Sequence, residues 1–373
     1  MSQIAEIENA SRAGAASRPL RIGMVAPPWF TVPPRGYGGT EAVVASLVDQ
    51  LVTRGHEVTL IAAGNPGTKA QHFICSHEQP PSHLLGSDAM PELVHAAEAS
   101  RALSVLDLDL IHDHSAAGPL LARGRRLPTV VTMHGPVAGP NGDYFRRLGP
   151  TIDIVAISDA QRVQAPDLNW VGTVHNAVDV ASFPFRRDKS DVVLWIGRFS
   201  PDKGAHLAIE IARKAGKHII LAGKLNERPE REYFDRVIGP MLGRDTEFVG
   251  EADATLKREL FSMAACLLSP IQWEEPFGMV MVEALACGTP VVSTSRGSVP
   301  EIVRHGHTGF IADDVDSLCA AVQRAGEIDP AECRRDAEER FDLPVMAAGY
   351  ERIYRMLAEG GAGIRSLTQG RVA

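Results

Sequence analysis

Three kinds of feature are scarce in this chain, and each scarcity narrows what it does. Cysteine is rare: Cys75, Cys266, Cys287, Cys319 and Cys333 are scattered, and no two have C-x-x-C spacing. That pattern reads as reduced thiols in a cytoplasmic protein. Long apolar runs are missing, and none approaches the roughly 20 residues needed to span a bilayer. The opening MSQIAEIENASRAGAASRPL also lacks the apolar stretch of a secretory signal. Positive charge is outnumbered, with 38 Lys and Arg against 46 Asp and Glu, a net charge of −8. A nucleic-acid partner calls for the opposite balance. The acidic total gives no support for strong attachment to an anionic membrane either. A cytoplasmic location follows, with peripheral contact at the inner face of a membrane left open.

What is present is the usual mixture of a globular enzyme, 45% hydrophobic and 23% charged over 373 residues. That length calls for two domains, each able to bury its own core. An apolar run at Arg21–Ala26 is followed by a glycine-rich loop, an amphipathic stretch at Glu41–Arg54 and a second β-prone run at Glu57–Ala62. Strand, glycine loop, helix, strand is the opening of a doubly wound α/β domain. The alternation continues with helices expected at Leu93–Leu106 and Ala116–Arg123 and strands at Leu110–Asp113, Thr129–Met133, Asp153–Ile157 and Val171–Val174. A second series starts at Val192–Ile196. The expected organisation is a disordered leader at 1–20, a Rossmann-like domain at 21–180 and a second at 181–343. A helix at 344–360 crosses back to the first domain, and a flexible tail occupies 361–373.

Two segments carry chemistry. In Glu275-Pro-Phe277-Gly278-Met279-Val280-Met-Val-Glu283 two carboxylates are separated by seven residues, between a strand and a helix. With Phe277–Val280 as the first helical turn, unpaired N–H groups and the positive end of the helix dipole would meet a phosphate. Glu283, further along, suits a ribose diol, and Glu275 a sugar hydroxyl. In Gly197-Arg198-Phe-Ser-Pro-Asp-Lys203-Gly204 an arginine fork and a lysine point charge flank another strand–helix junction, the pairing that suits a diphosphate.

Together these segments resemble the family 4 (group 1) retaining glycosyltransferases of GT-B fold, over roughly Arg21 to Leu357. Softer matches lie at Pro34–Thr40, at His134 in Thr-Met-His-Gly, at Asn176–Asp179 and at Gly297-Ser-Val-Pro-Glu301. The resemblance implies two Rossmann-like domains facing across a cleft. It implies sugar transfer from a nucleoside-diphosphate sugar to a hydroxyl acceptor, a saccharide, small molecule or lipid-linked sugar, with retention of configuration. No metal and no cofactor beyond the nucleotide-sugar co-substrate are implied. Arg198 and Lys203 would hold the diphosphate, Glu275 the sugar and Glu283 the ribose, with the Phe277–Val280 backbone completing the cradle. Gly38 and Gly39 would approach the donor from the first domain, and His134 would touch the sugar near the reaction centre. Tyr37, His114 and Asn141 are candidates on the acceptor side.

Other readings remain beside this one. A sugar-nucleotide epimerase or a phosphorylase shares the architecture, and so would a nucleotide-sugar-binding protein without catalysis. A dinucleotide site is disfavoured, because Glu41 stands where its fingerprint needs glycine and the second strand ends without an acid. His112-Asp-His114 could offer two metal ligands, but no third is evident. The triplets Asp107-Leu-Asp109 and Asp314-Val-Asp316 read as solvated acids.

Overall fold

The protein is described here by a computed structural model covering residues 18–36 and 38–369, with the side chains of 360–369 outside the description. The first half forms a parallel sheet from β1 (Arg21–Val25), β2 (Glu57–Ala63), β3 (His72–His77), β4 (Leu110–Asp113), β5 (Thr129–Thr132), β6 (Asp153–Ala156) and β7 (Trp170–Thr173). Their order is β3-β2-β1-β4-β5-β6-β7. The second sheet holds β8 (Val193–Ile196), β9 (Ile219–Ala222), β10 (Thr246–Phe248), β11 (Cys266–Ser269), β12 (Val291–Ser293) and β13 (Gly309–Ile311) in the order β10-β9-β8-β11-β12-β13. The fold is therefore α/β, with two doubly wound Rossmann-like halves. Most central strands are buried on both faces, which is why they read as unbroken apolar runs.

Each sheet reverses its winding once, between β1 and β4 in the first and between β8 and β11 in the second. Such reversals open a crevice beyond the carboxyl ends of the two strands. In the first half, α1 (Gly39–Thr53) follows the loop after β1, and α2 (Met90–Leu103) precedes β4. In the second, α3 (Ala205–Lys214) follows the loop after β8, and α4 (Met279–Ala286) follows the loop after β11. The two loops carrying the chemistry therefore converge on one crevice.

The chain recrosses between the halves at Phe341–Asp342. Val178 N–H donates to the Phe341 carbonyl (3.0 Å), and Val180 N–H to Asp342 Oδ1 (3.2 Å). The last helix, α5 (Leu343–Gln369), then buries Met346, Ala347, Tyr350 and Tyr354 in the core of the first half. It was expected to end near Gly360 and instead continues to Gln369.

Several local expectations need correction. The helix expected at Ala116–Arg123 is a single 3-10 turn, Gly118–Leu121. Gly118 packs so tightly against Asp113 and Ser115 that a Cβ there would collide with the Asp113 carboxylate. The strands β3 and β13 had no counterpart in the sequence reading. The leader is ordered before residue 21, since Leu20 is buried and Arg18 pairs with Asp109 at 2.9 Å; residues 1–17 lie outside the described residues, as do 370–373. Asp109 is consequently not a solvated acid. Burial would raise its pKa, but hydrogen bonds from Arg18 and Arg21 hold it well below the usual carboxylate range.

Candidate functional site

The crevice at the β8/β11 switch point encloses about 290 Å³. Arg198, Lys203, Glu275, Gly278, Met279 and Val280 all line it. Two glycines in left-handed conformation make this convergence possible. Gly204 (φ 71°) starts α3, and a Cβ there would strike the Pro270 carbonyl just beyond β11. Gly278 (φ 80°) starts α4. The helix thus runs Met279–Ala286 as the alternation predicts, but Phe277 and Gly278 are not part of its first turn, because Gly278 turns the chain. That first turn still lines the crevice, through Gly278–Met281. Phe277 is buried and does not line it. Its ring packs against His175 (5.7 Å) and Phe341 (6.0 Å), where the chain crosses between halves.

The loop holding Glu275 is braced from behind by residues 297 and 298. Ser298 N–H donates to the Glu275 carbonyl (2.9 Å), and Ser298 Oγ to the Phe277 carbonyl (2.7 Å). Gly297 (φ 57°) leaves no room for a Cβ against the Glu275 backbone.

Inside the crevice, Lys203 Nζ forms an ion pair with Glu275 Oε2. It also lies 4.6 Å from the centre of the Trp273 ring, whose indole N–H donates to the same oxygen at 3.1 Å. Trp273 therefore belongs to the site, although the sequence reading passed over it; its place two residues before Glu275 was the available signal. Lys224 and Glu251, beyond the ends of β9 and β10, also line the crevice. Glu283 lies on the first turns of α4, buried, with Oε1 bonded to Lys257 Nζ at 2.5 Å. It is not among the lining residues.

The first-half candidates gather elsewhere. Gly38 and Gly39 stand at the start of α1, with Gly38 at φ 145°. Tyr37 lies outside the described residues. His134 follows β5 and is half-buried, and its Nε2 lies 2.9 Å from His114 Nδ1. His114 is itself buried, with its ring between those of His112 and His134. It is thus set behind His134 and not at an open acceptor surface. Burial holds His134 down at about 4 and His112 and His114 well below the ordinary histidine value, so all three are neutral at pH 7. Asn141 is exposed, and its side-chain amide donates to the Pro136 carbonyl (2.9 Å). None of these residues lines the crevice of the second half among the described residues. No group of three His, Cys, Asp or Glu able to hold a metal occurs among them either.

The halves meet beside this crevice. Met279 packs against the cores of both. Glu301 from the second half accepts hydrogen bonds from the N–H groups of Asp159 (2.8 Å) and Ala160 (2.6 Å) and lies 3.1 Å from His175 Nε2. Sequence reading placed Glu301 only in a soft match, because its partners are about 140 residues away.

Residues 181–340 match the family model described as glycosyl transferases group 1, and residues 37–182 that of glycosyltransferase family 4. A phosphatidyl-myo-inositol mannosyltransferase of Mycolicibacterium smegmatis is 29% identical, covering 94% of this chain and 97% of its own. Among solved structures, AviGT4, a glycosyltransferase involved in avilamycin A biosynthesis, superposes with a TM-score of 0.71 at 27% identity, covering 92% of this chain and 99% of its own. The fold is shared by Anabaena HepE in complex with UDP and glucose, with a TM-score of 0.69 at 19% identity over 91% of this chain and 100% of its own. No described helix is long and apolar enough to cross a membrane.

Proposed function

The chain belongs to the group 1, family 4 glycosyltransferases, and from that premise we propose that it transfers a sugar from a nucleoside-diphosphate donor to a hydroxyl acceptor, with retention and without a metal ion. The observation that carries this reading is the convergence of Arg198, Lys203, Glu275 and the start of α4 on one crevice. Cleavage of a glycosyl–phosphate bond builds negative charge on the departing diphosphate and positive character on the sugar. Two fixed cations and a helix N-terminus stabilise the first, and a carboxylate beside the sugar favours the second.

The ion pair between Lys203 and Glu275 gives the site a resting state. A diphosphate carries more charge than one carboxylate and competes for Lys203. Donor entry then frees Glu275 to accept hydrogen bonds from sugar hydroxyls, while the indole N–H of Trp273 keeps the carboxylate in place. Retention follows a front-face course, in which the acceptor approaches from the side of the leaving phosphate and gives its proton to that phosphate. His134 and the Gly38–Gly39 loop would meet the donor from the first half as the domains close.

Two similar proteins suggest a nucleotide donor and a polyol acceptor without choosing either, since one is named for mannosyl transfer to a phosphoinositide and the other holds UDP and glucose. The test is product analysis. The enzyme is incubated in EDTA with UDP-, GDP- and ADP-sugars and a panel of hydroxyl acceptors, and the anomeric proton of the product is followed by NMR. A glycoside of unchanged configuration is expected. An epimerised donor or a free sugar phosphate would instead favour one of the other enzymes sharing the fold.

A further inference from the structure

Three histidines stand in a row from the core to the edge of the first half. His112 is saturated: Nδ1 lies 2.6 Å from the Tyr354 hydroxyl and Nε2 2.8 Å from Thr132 Oγ1. Its ring centre is 3.9 Å from that of His114. Having no nitrogen to spare, it leaves His114 Nε2 buried and without a partner among the described residues. Among the described residues, the single hydrogen bond open to the His114 ring lies between its Nδ1 and His134 Nε2, at 2.9 Å.

One proton must lie between those two nitrogens, and its placement fixes both rings. If His134 Nε2–H donates, then His114 is protonated on Nε2, and a buried N–H has no acceptor. If His114 Nδ1–H donates, His114 Nε2 is a bare lone pair, an unpaired acceptor in place of an unpaired donor. Orphaned buried N–H groups are the rarer of the two in proteins, so the second arrangement is favoured. We infer that His114 is a positioning residue that fixes His134 as its Nδ1–H tautomer, so that His134 meets the substrate as a neutral hydrogen-bond donor and not as a base.

The free edge of His134 carries this Nδ1–H, which has no protein partner among the described residues. The tautomer rests on the geometry of the first half alone; its use rests on the proposed sugar transfer. It has a mechanistic consequence, because a histidine without a lone pair toward the substrate cannot take the acceptor's proton. That agrees with the proposed front-face course, in which the leaving phosphate takes the proton.

The test is nitrogen-15 NMR of the full chain labelled at histidine, with the His134 ring signals assigned by their loss in His134→Gln. The wild type is expected to carry its proton on Nδ1 of His134 at pH 7. In His114→Asn the side-chain N–H occupies the place of Nδ1–H, so the same tautomer and most of kcat should be kept. In His114→Asp only an acceptor faces His134. The proton should then move to Nε2, and kcat should fall by about a hundredfold, as for the loss of one transition-state donor. A wild-type His134 protonated on Nε2 overturns the inference, and so does an unchanged tautomer in a folded His114→Asp. If His114→Asp does not fold, the wild-type spectrum decides alone. An Nδ1–H tautomer in a protein that transfers no sugar would sustain the inference and refute the proposed function instead.

Discussion

At the scale of single residues, the proposed donor site rests on a few charges, two of which, Lys203 and Glu275, pair with each other. Arg198→Ala and Lys203→Ala each remove a cation that lines the crevice and, on the proposed reading, faces the growing phosphate charge. Each is expected to lower kcat by about a hundredfold with an unchanged circular dichroism spectrum. Near-normal turnover in both would show that the diphosphate sits elsewhere. Glu41 makes a second prediction. It is buried at the start of α1, and burial raises its pKa to about 7. The folded carboxyl keeps its proton up to about pH 7 while the unfolded one loses it near 4.5, so stability falls as pH rises between those values, by about 3 kcal/mol in all. Glu41→Gln should stabilise the protein at pH 8 and change little at pH 4, below the unfolded value, as read from urea midpoints. An equal effect at both pH values would contradict the buried, protonatable state. Glu275, Lys203 and Arg198 were legible in the sequence because their spacing places them at strand–helix junctions. Asp109 was not, because its role depends on Arg18, 91 residues away, and Trp273 showed only its nearness to Glu275, since its contact with Lys203 lies across the crevice.

At the scale of elements, the alternation of apolar runs and amphipathic stretches disclosed both sheets, since buried parallel strands leave little ambiguity. β3 escaped because it is an edge strand of sequence His-Phe-Ile-Cys-Ser-His, with no fully buried residue and no clear period. β13 escaped because it is three residues long and opens on a glycine, leaving no apolar run to mark it. The segment at Ala116–Arg123 read as helix from composition, but the close packing of Gly118 on Asp113 confines it to one turn. Phe277 and Gly278 read as part of the first turn of α4 for a related reason, since nothing in the run Phe277-Gly278-Met279 announces a left-handed glycine. The same glycines give a third prediction. Gly297 sits in the left-handed region with its α-carbon against the Glu275 backbone. Gly297→Ala should displace the Glu275 loop, raise the donor KM and lower the melting temperature. A variant with unchanged donor KM would show that this turn does not set the loop.

At the scale of the whole molecule, two halves are joined by Met279, by the crossing at Phe341–Asp342 and by the Glu301 contacts with Asp159, Ala160 and His175. All of these lie beside the crevice, so movement of one half against the other is felt at the start of α4. The burial of histidine also sets the response to acid. His95 and His134 are held at about 4 by burial, and His112 and His114 well below their ordinary value. The unfolded chain takes up these protons near pH 6.5. Between about pH 6.5 and 4 it binds more protons than the folded state at these positions, and stability falls as pH falls. Glu41 and Asp113, raised by burial to about 7 and about 6, act in the opposite sense over part of that range. Four histidines outweigh two carboxylates, so the urea midpoint should be lower at pH 5 than at pH 7. An equal or higher midpoint at pH 5 would contradict the neutral histidine row.

The most direct test of the donor site is a thermal shift of the wild type and of Arg198→Ala with UDP, GDP and ADP, each in EDTA. Ligand at a hundred times its dissociation constant adds about 2.7 kcal/mol of stability. One nucleoside diphosphate should raise the melting temperature of the wild type and leave that of Arg198→Ala nearly unmoved. No shift with any of the three, or equal shifts in both proteins, would contradict a diphosphate held by Arg198, Lys203 and the first turn of α4.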